Sequence, residues 1–174
     1  MHTIRSASDA DIGAITDIYA HYVANSTATF ETVAPGVAEM AGRRAEVLAR
    51  GMPYLVIEDA SGGVAGYAYC NWFKPRPAYR FSAENSIYLA PTAIGGGRGR
   101  ALLEGLCSAA TDAGVRQMLA VIGGAENLAS IGLHRAVGFE NAGLLKSSGW
   151  KFGRWLDVVL MQKPLGAGDR VAPE

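Results

Sequence analysis

Along the chain, two periods of apolar residues alternate. Ile12, Ile15, Ile18, Tyr19, Tyr22 and Val23 recur at helical spacing, and Ser8 with Asp11 offers a capping-box start just ahead of them. A second helix is predicted over Val37 to Ala49, ended by Gly51 and Pro53. Extended segments bracket these: residues 2 to 6, then Tyr54 to Glu58 and Val64 to Asn71 flanking the turn 59–63, which reads as a hairpin. Glu84 to Ala90 predicts another strand. A helix over about Arg100 to Ala113 buries Leu102, Leu103, Leu106 and Ala110 and ends at Gly114. Gln117 to Ile122 is a short buried strand, and Asn127 to Val137 a helix with Gly138 at the position that favours glycine. Phe139 to Leu145 and Arg154 to Gln162 close the pattern as strands, and AGDRVAPE is expected to be a loose tail, 167–174, behind a single domain, 1–166. Hairpins in the first half and crossovers in the second predict an α/β (α+β) architecture, a mixed sheet with helices on both faces.

Composition narrows the class. With 174 residues, 49% hydrophobic and 18% charged, the chain is long enough and apolar enough for one packed domain. Lys plus Arg equals Asp plus Glu at sixteen each, so there is no basic excess to suggest a nucleic-acid partner. The longest apolar runs, such as Val64 to Cys70, fall far short of the roughly 18 residues that span a bilayer. Cys70 and Cys107 lie in apolar surroundings without metal or redox spacing, as two buried thiols of a reducing compartment would. A cytoplasmic protein, with no membrane partner and no metal, is therefore expected.

One stretch asks for a chemical explanation: Ile94-Gly-Gly-Gly-Arg-Gly-Arg100, between a strand and a helix. A helix start presents backbone N–H groups with no partner inside the helix, and glycines let an oxyanion approach them. Arg98 and Arg100 add charge-assisted donors for phosphate. The P-loop pattern fails, because the sixth position from Gly95 is Arg100 with no Lys-Ser or Lys-Thr; the dinucleotide pattern fails at the same place. The six residues from Ile94 to Gly99 instead resemble the pyrophosphate loop of the GNAT acetyltransferases, Gln/Arg-x-x-Gly-x-Gly/Ala. Gly97 and Gly99 match it, and Ile94 departs from it.

Further blocks resemble the phosphinothricin and methionine sulfoximine N-acetyltransferases within that superfamily. They include Ser26 to Glu31, Gly51 to Val56, Ala78 to Arg80, Glu84 to Leu89, Ala129 to His134 and Lys151 to Asp157, and the likeness runs over about residues 3 to 165. The resemblance implies the GNAT fold, a splayed, mostly antiparallel sheet of about seven strands flanked by four helices. It also implies acetyl-coenzyme A as co-substrate, a small amine acceptor and a homodimer. In that reading the backbone of Ile87, Tyr88 and Leu89 holds the pantetheine arm. Gly95, Gly96, Gly97, Arg98, Gly99 and Arg100 hold the pyrophosphate, and Asn127 meets the coenzyme near its thiol.

The reaction poses one acid–base problem. An alkyl ammonium with a pKa near 10 is free amine in only about one molecule per thousand at pH 7, so a base is needed. Glu84, at the start of its strand, matches the family's carboxylate base, and His134 is its candidate relay or orienter. No cysteine sits beside a histidine at useful spacing, which favours direct transfer over an acetyl-enzyme. Arg80 and Arg76 would grip an α-carboxylate, with Tyr79 and Phe30 as pocket walls. Three other readings stay open: a different amine (a protein N-terminus, lysine or aminoglycoside), a non-catalytic acyl-coenzyme A binding module, and a nucleotide-binding protein.

Overall fold

The computed structural model describes residues 2–173; Met1 and Glu174, the last residue of the expected tail, lie outside it. The chain runs β1 (Ile4–Ser6), α1 (Ile12–Asn25), α2 (Val37–Ala49), β2 (Tyr54–Glu58), β3 (Val64–Trp72), β4 (Ser82–Leu89), α3 (Arg98–Asp112), β5 (Gln117–Gly123), α4 (Leu128–Ala136), β6 (Glu140–Lys151) and β7 (Arg154–Pro164). The seven strands form one sheet in the order β1-β2-β3-β4-β5-β7-β6, antiparallel everywhere except between β4 and β5. Each expected helix and strand is present, with shifted edges. The helix after the glycine loop begins at Arg98, two residues early, and the strand carrying Glu84 begins at Ser82, so Glu84 is its third residue.

Alternation along β3 decides what each face of the sheet packs against. Tyr67 and Tyr69 point one way, Gly66, Ala68 and Cys70 the other. On the first face Tyr54, Tyr67 and Tyr69 stack, Tyr88 joins them from β4, and Tyr19 and Tyr22 of α1 meet Tyr88 at 5.2 and 5.3 Å. The opposite face carries small residues, and α3 lies against it with Leu102, Leu103, Leu106 and Ala110 fully buried. The first helix starts as expected: Ser8 N–H and Oγ both donate to Asp11, and Arg5 adds two further bonds to the same carboxylate while pairing Glu58 of β2.

The last hairpin is longer than the apolar pattern suggests. β6 continues past Leu145 to Lys151 because a bulge between Leu145 and Gly149 absorbs the polar residues there, with Ser147 N–H donating to Asp157. Phe152 and Gly153, both at positive φ, make its two-residue turn. Beyond β7, Leu165 and Gly168 are buried, and residues 166–173 carry no helix or strand.

Tyr67 is fully buried, and its Oη finds no hydrogen-bond partner among the described residues. A buried polar atom left unpaired costs about 1–3 kcal/mol, so Tyr67→Phe is expected to raise stability in urea unfolding by about 1 kcal/mol. A clear loss of stability would show that the hydroxyl is satisfied.

Candidate active site

β4 and β5 pair over three positions only: Ser82 with Gln117, Ala83 with Met118, Glu84 with Leu119. Beyond Glu84 the strands part. The register of β4 on β3, with Ala90 N–H donating to Ala65 O and Phe73 N–H to Ser82 O, assigns the main-chain groups of Glu84, Ser86 and Tyr88 to β3. Those of Asn85, Ile87 and Leu89 therefore face the gap. Of the three residues expected to offer backbone to an extended ligand, Ile87 and Leu89 do so; Tyr88 contributes its ring. Leu89 O accepts from Tyr22 Oη at 2.8 Å.

The gap opens into a cavity of about 600 Å³ lined by Glu84 to Leu89, Ala120 to Gly123, the glycine loop, the 26–30 segment and one face of α4. At its mouth Gly95, Gly96 and Gly97 all adopt positive φ, a run that side chains would strain. The amides of Gly96, Gly97, Gly99 and Arg100 find no carbonyl partner among the described residues, and Arg98 Nε is buried and unpaired. Converging bare amides at a helix start, flanked by two arginines, fit a diphosphate. Gly95, Gly97, Gly99 and Arg100 line the cavity, as does Ile94; Gly96 instead turns its carbonyl to His2 at 3.0 Å. Asn127 caps α4, its Oδ1 accepting from Ser130 N–H, and also borders the cavity.

Glu84 sits at the closed end, half-buried, with no hydrogen-bond or ion-pair partner among the described residues. Burial raises its pKa above the ordinary glutamate value, Lys74 partly opposing. His134 lines the same end but is only 2% exposed. Its Nδ1 lies 2.8 Å from Ser130 O and its Nε2 3.0 Å from Asn85 Oδ1, so both nitrogens are engaged, and burial lowers its pKa. Cys70 and Cys107 are buried outside the cavity lining, with burial pushing the Cys70 thiol up to about 12. Neither is placed or ionised as a nucleophile.

Phe30 walls the cavity, seated where a Cβ on Gly149 would come within 2.2 Å of its ring. Arg76, Tyr79 and Arg80 do not line it. They lie on the exposed segment before β4, where Arg80 stacks on Phe81 at 4.3 Å and donates to Pro77 O. Glu31 is taken up by Arg43 and Tyr19. Two residues carry the site without having been singled out by sequence. Asn85 bridges the parting strands, its Nδ2 donating to Leu119 O at 3.0 Å. Lys151, buried at the far end of β6, donates to Ser26 O and Thr29 O at 2.7 and 2.9 Å and so ties the 26–30 wall to the last hairpin. In the sequence Asn85 is one more residue of the strand Glu84 to Ala90, and Lys151 falls between the two closing strands, without a role.

A forked sheet with a bare-amide cradle at one end of the gap and a lone carboxylate at the other defines an acetyl-transfer fold, and the profile of the acetyltransferase (GNAT) domain matches residues 4–160. The chain belongs to that family and is an N-acetyltransferase. It is 53% identical to a phosphinothricin N-acetyltransferase of Alcaligenes faecalis, over 99% of this chain and 87% of the relative. It is 40% identical to an L-methionine sulfoximine/L-methionine sulfone acetyltransferase of Pseudomonas aeruginosa, over 92% of each. The crystal structure of a phosphinothricin acetyltransferase from Sinorhizobium meliloti in complex with AcCoA superposes with a TM-score of 0.97 at 51% identity, covering 99% of this chain and 93% of that one.

Replacing Lys151 by Met would strand the carbonyls of Ser26 and Thr29, each at about 1–3 kcal/mol. A lowered thermal midpoint, faster proteolysis within 26–30 and a raised acceptor KM are expected, with Lys151→Arg restoring part of each. Unchanged proteolysis and KM would show that the wall does not depend on this ammonium.

Proposed function

We propose that the chain transfers acetyl from acetyl-coenzyme A directly to the primary amine of a small amino-acid-like acceptor of the phosphinothricin and methionine sulfoximine or sulfone class. The observation that carries the reading is the placement of an unpaired carboxylate, Glu84, where β4 and β5 part, at the opposite end of the gap from the diphosphate cradle. Acetyl-coenzyme A supplies the acyl group as a thioester. Gly96, Gly97, Gly99 and Arg100 would bind its diphosphate, and Ile87 and Leu89 its amide-bearing arm. Glu84, held above the ordinary carboxylate range by burial, accepts the proton that the attacking ammonium must lose; the new bond is N–C, the broken one C–S, and coenzyme A leaves as the thiol. His134, with both nitrogens engaged, supports the site as an orienter more readily than as a shuttle. The names of the relatives support the acceptor class. Recognition of an α-carboxylate by Arg76 or Arg80, beside Tyr79, would require the segment before β4 to close over the cleft.

A thiol-release assay with acetyl-coenzyme A is expected to show turnover with phosphinothricin, methionine sulfoximine and methionine sulfone, and little with lysine peptides or aminoglycosides. The reverse order would replace the acceptor class. With a positioned base contributing about 10²–10⁴-fold, Glu84→Gln should lower kcat by about that factor and leave coenzyme A affinity intact. In the parent enzyme kcat/KM should fall as pH drops through the raised Glu84 pKa, a limb that the Gln variant loses. A variant with parental turnover would remove Glu84 from the base role.

We also propose that two copies pair through the last hairpin, where Leu144, Leu145, Trp150, Phe152 and Trp155 are exposed and the two indoles meet edge to face at 5.2 Å. Exposed aromatic side chains clustered at one hairpin mark a surface for association. Light scattering should give twice the chain mass, and the mass of one chain after Trp150→Ser with Trp155→Ser; a monomeric parent would discount the pairing.

A further inference from the structure

In a parallel ladder Ala83 is followed by Asn85, and the main-chain N–H of Asn85 would donate to Leu119 O. Here the Asn85 side chain makes that bond instead, through Nδ2 at 3.0 Å. The carbonyl at the fork is satisfied, while the Asn85 main chain stays off β5. The other end of the same amide reaches His134 Nε2 at 3.0 Å, and His134 Nδ1 reaches Ser130 O at 2.8 Å. A chain of contacts therefore crosses from β5 through β4 to α4.

Both ends of this chain are backbone carbonyls, which only accept. Leu119 O fixes the orientation of the Asn85 amide, so Oδ1 faces the ring and must receive a proton from Nε2. Ser130 O lies 2.8 Å from Nδ1, and the Ser130 hydroxyl, at 3.4 Å, can donate to Nδ1 of a neutral ring. The one proton of a neutral imidazole therefore belongs on Nε2. The ring packs edge-on to Phe139 at 5.0 Å and has no carboxylate within ion-pair distance among the described residues. Glu84 faces the other side of β4. Burial works against a charged ring, so the neutral ring, with its Nε2 proton directed at Asn85 Oδ1, is the form that this geometry favours.

We propose that Asn85 is a positioning residue: its side chain stands in for a main-chain ladder bond, holds the fork open one residue beyond Glu84, and holds His134 as the tautomer with its proton on Nε2. Losing it would let the Asn85-position N–H zip onto Leu119 O, carrying β4 toward β5 and moving Glu84 against the gap it serves.

The proposal rests on acetyl transfer in this cleft, so turnover by the parent enzyme is measured first; the ring's tautomer is then read by ¹⁵N–¹H NMR at pH 7 without substrate, and the two readings fail separately. Asn85→Ala is expected to lower kcat by about 10–100-fold, as small misplacements of a reacting group do, with acetyl-coenzyme A affinity unchanged and the His134 proton no longer confined to Nε2. Asn85→Asp, of the same shape, keeps an acceptor for His134 but offers no N–H to Leu119. It should lose kcat similarly while Nε2 stays protonated, and it decides the matter if the alanine variant does not fold. A merely structural residue would lower the thermal midpoint and leave kcat and the ring signals alone. That result, or a parent ring with its proton on Nδ1, overturns the proposal.

Discussion

Everything about the site depends on two strands that begin a parallel ladder and abandon it after three pairs. A sheet that parts leaves main-chain donors and acceptors without partners, and buried groups of that kind are costly. The molecule meets the constraint in two ways. At the fork a side-chain amide supplies the missing bond, and farther along the edge of β4 and the glycine loop keep bare main-chain groups toward the gap. In the proposed function a ligand with its own amides and phosphates takes up those groups, so that binding and folding share one set of hydrogen bonds.

The two faces of the sheet serve that opening differently. The tyrosine face is stiff and aromatic, and α1 is anchored to it by Tyr19 and by the bond from Tyr22 to Leu89 O, the last carbonyl of β4. The small-residue face lets α3 lie close, which brings its first turn and the three left-handed glycines to the mouth of the gap. The wall formed by residues 26–30 is held from two sides, by Tyr19 on Thr29 and by the buried Lys151 ammonium.

Much of this was legible in the sequence because it is written in local patterns. Periods of 3.6 and 2 located all four helices and seven strands, and four glycines within five residues marked the candidate diphosphate loop. Resemblance to a known family supplied what spacing alone does not, namely that the gap lies beside Glu84. The misses are long-range. Asn85 matters because of Leu119 and His134, thirty or more residues away, and no window around it reports that. Lys151 is polar in a stretch that breaks alternation, so the strand pattern stops at Leu145 and neither the bulge nor the buried ammonium shows. Arg76, Tyr79 and Arg80 form a plausible carboxylate clamp in one dimension; in three they stand on an exposed segment outside the cavity lining.

Hydrogen–deuterium exchange with and without acetyl-coenzyme A addresses the central claim at the level of single amides. Slowed exchange is predicted at Ile87, Leu89, Gly96, Gly97, Gly99 and Arg100, with Tyr88, already bonded to β3, unaffected. Protection appearing elsewhere, or Tyr88 protected while Ile87 and Leu89 are not, would contradict the account.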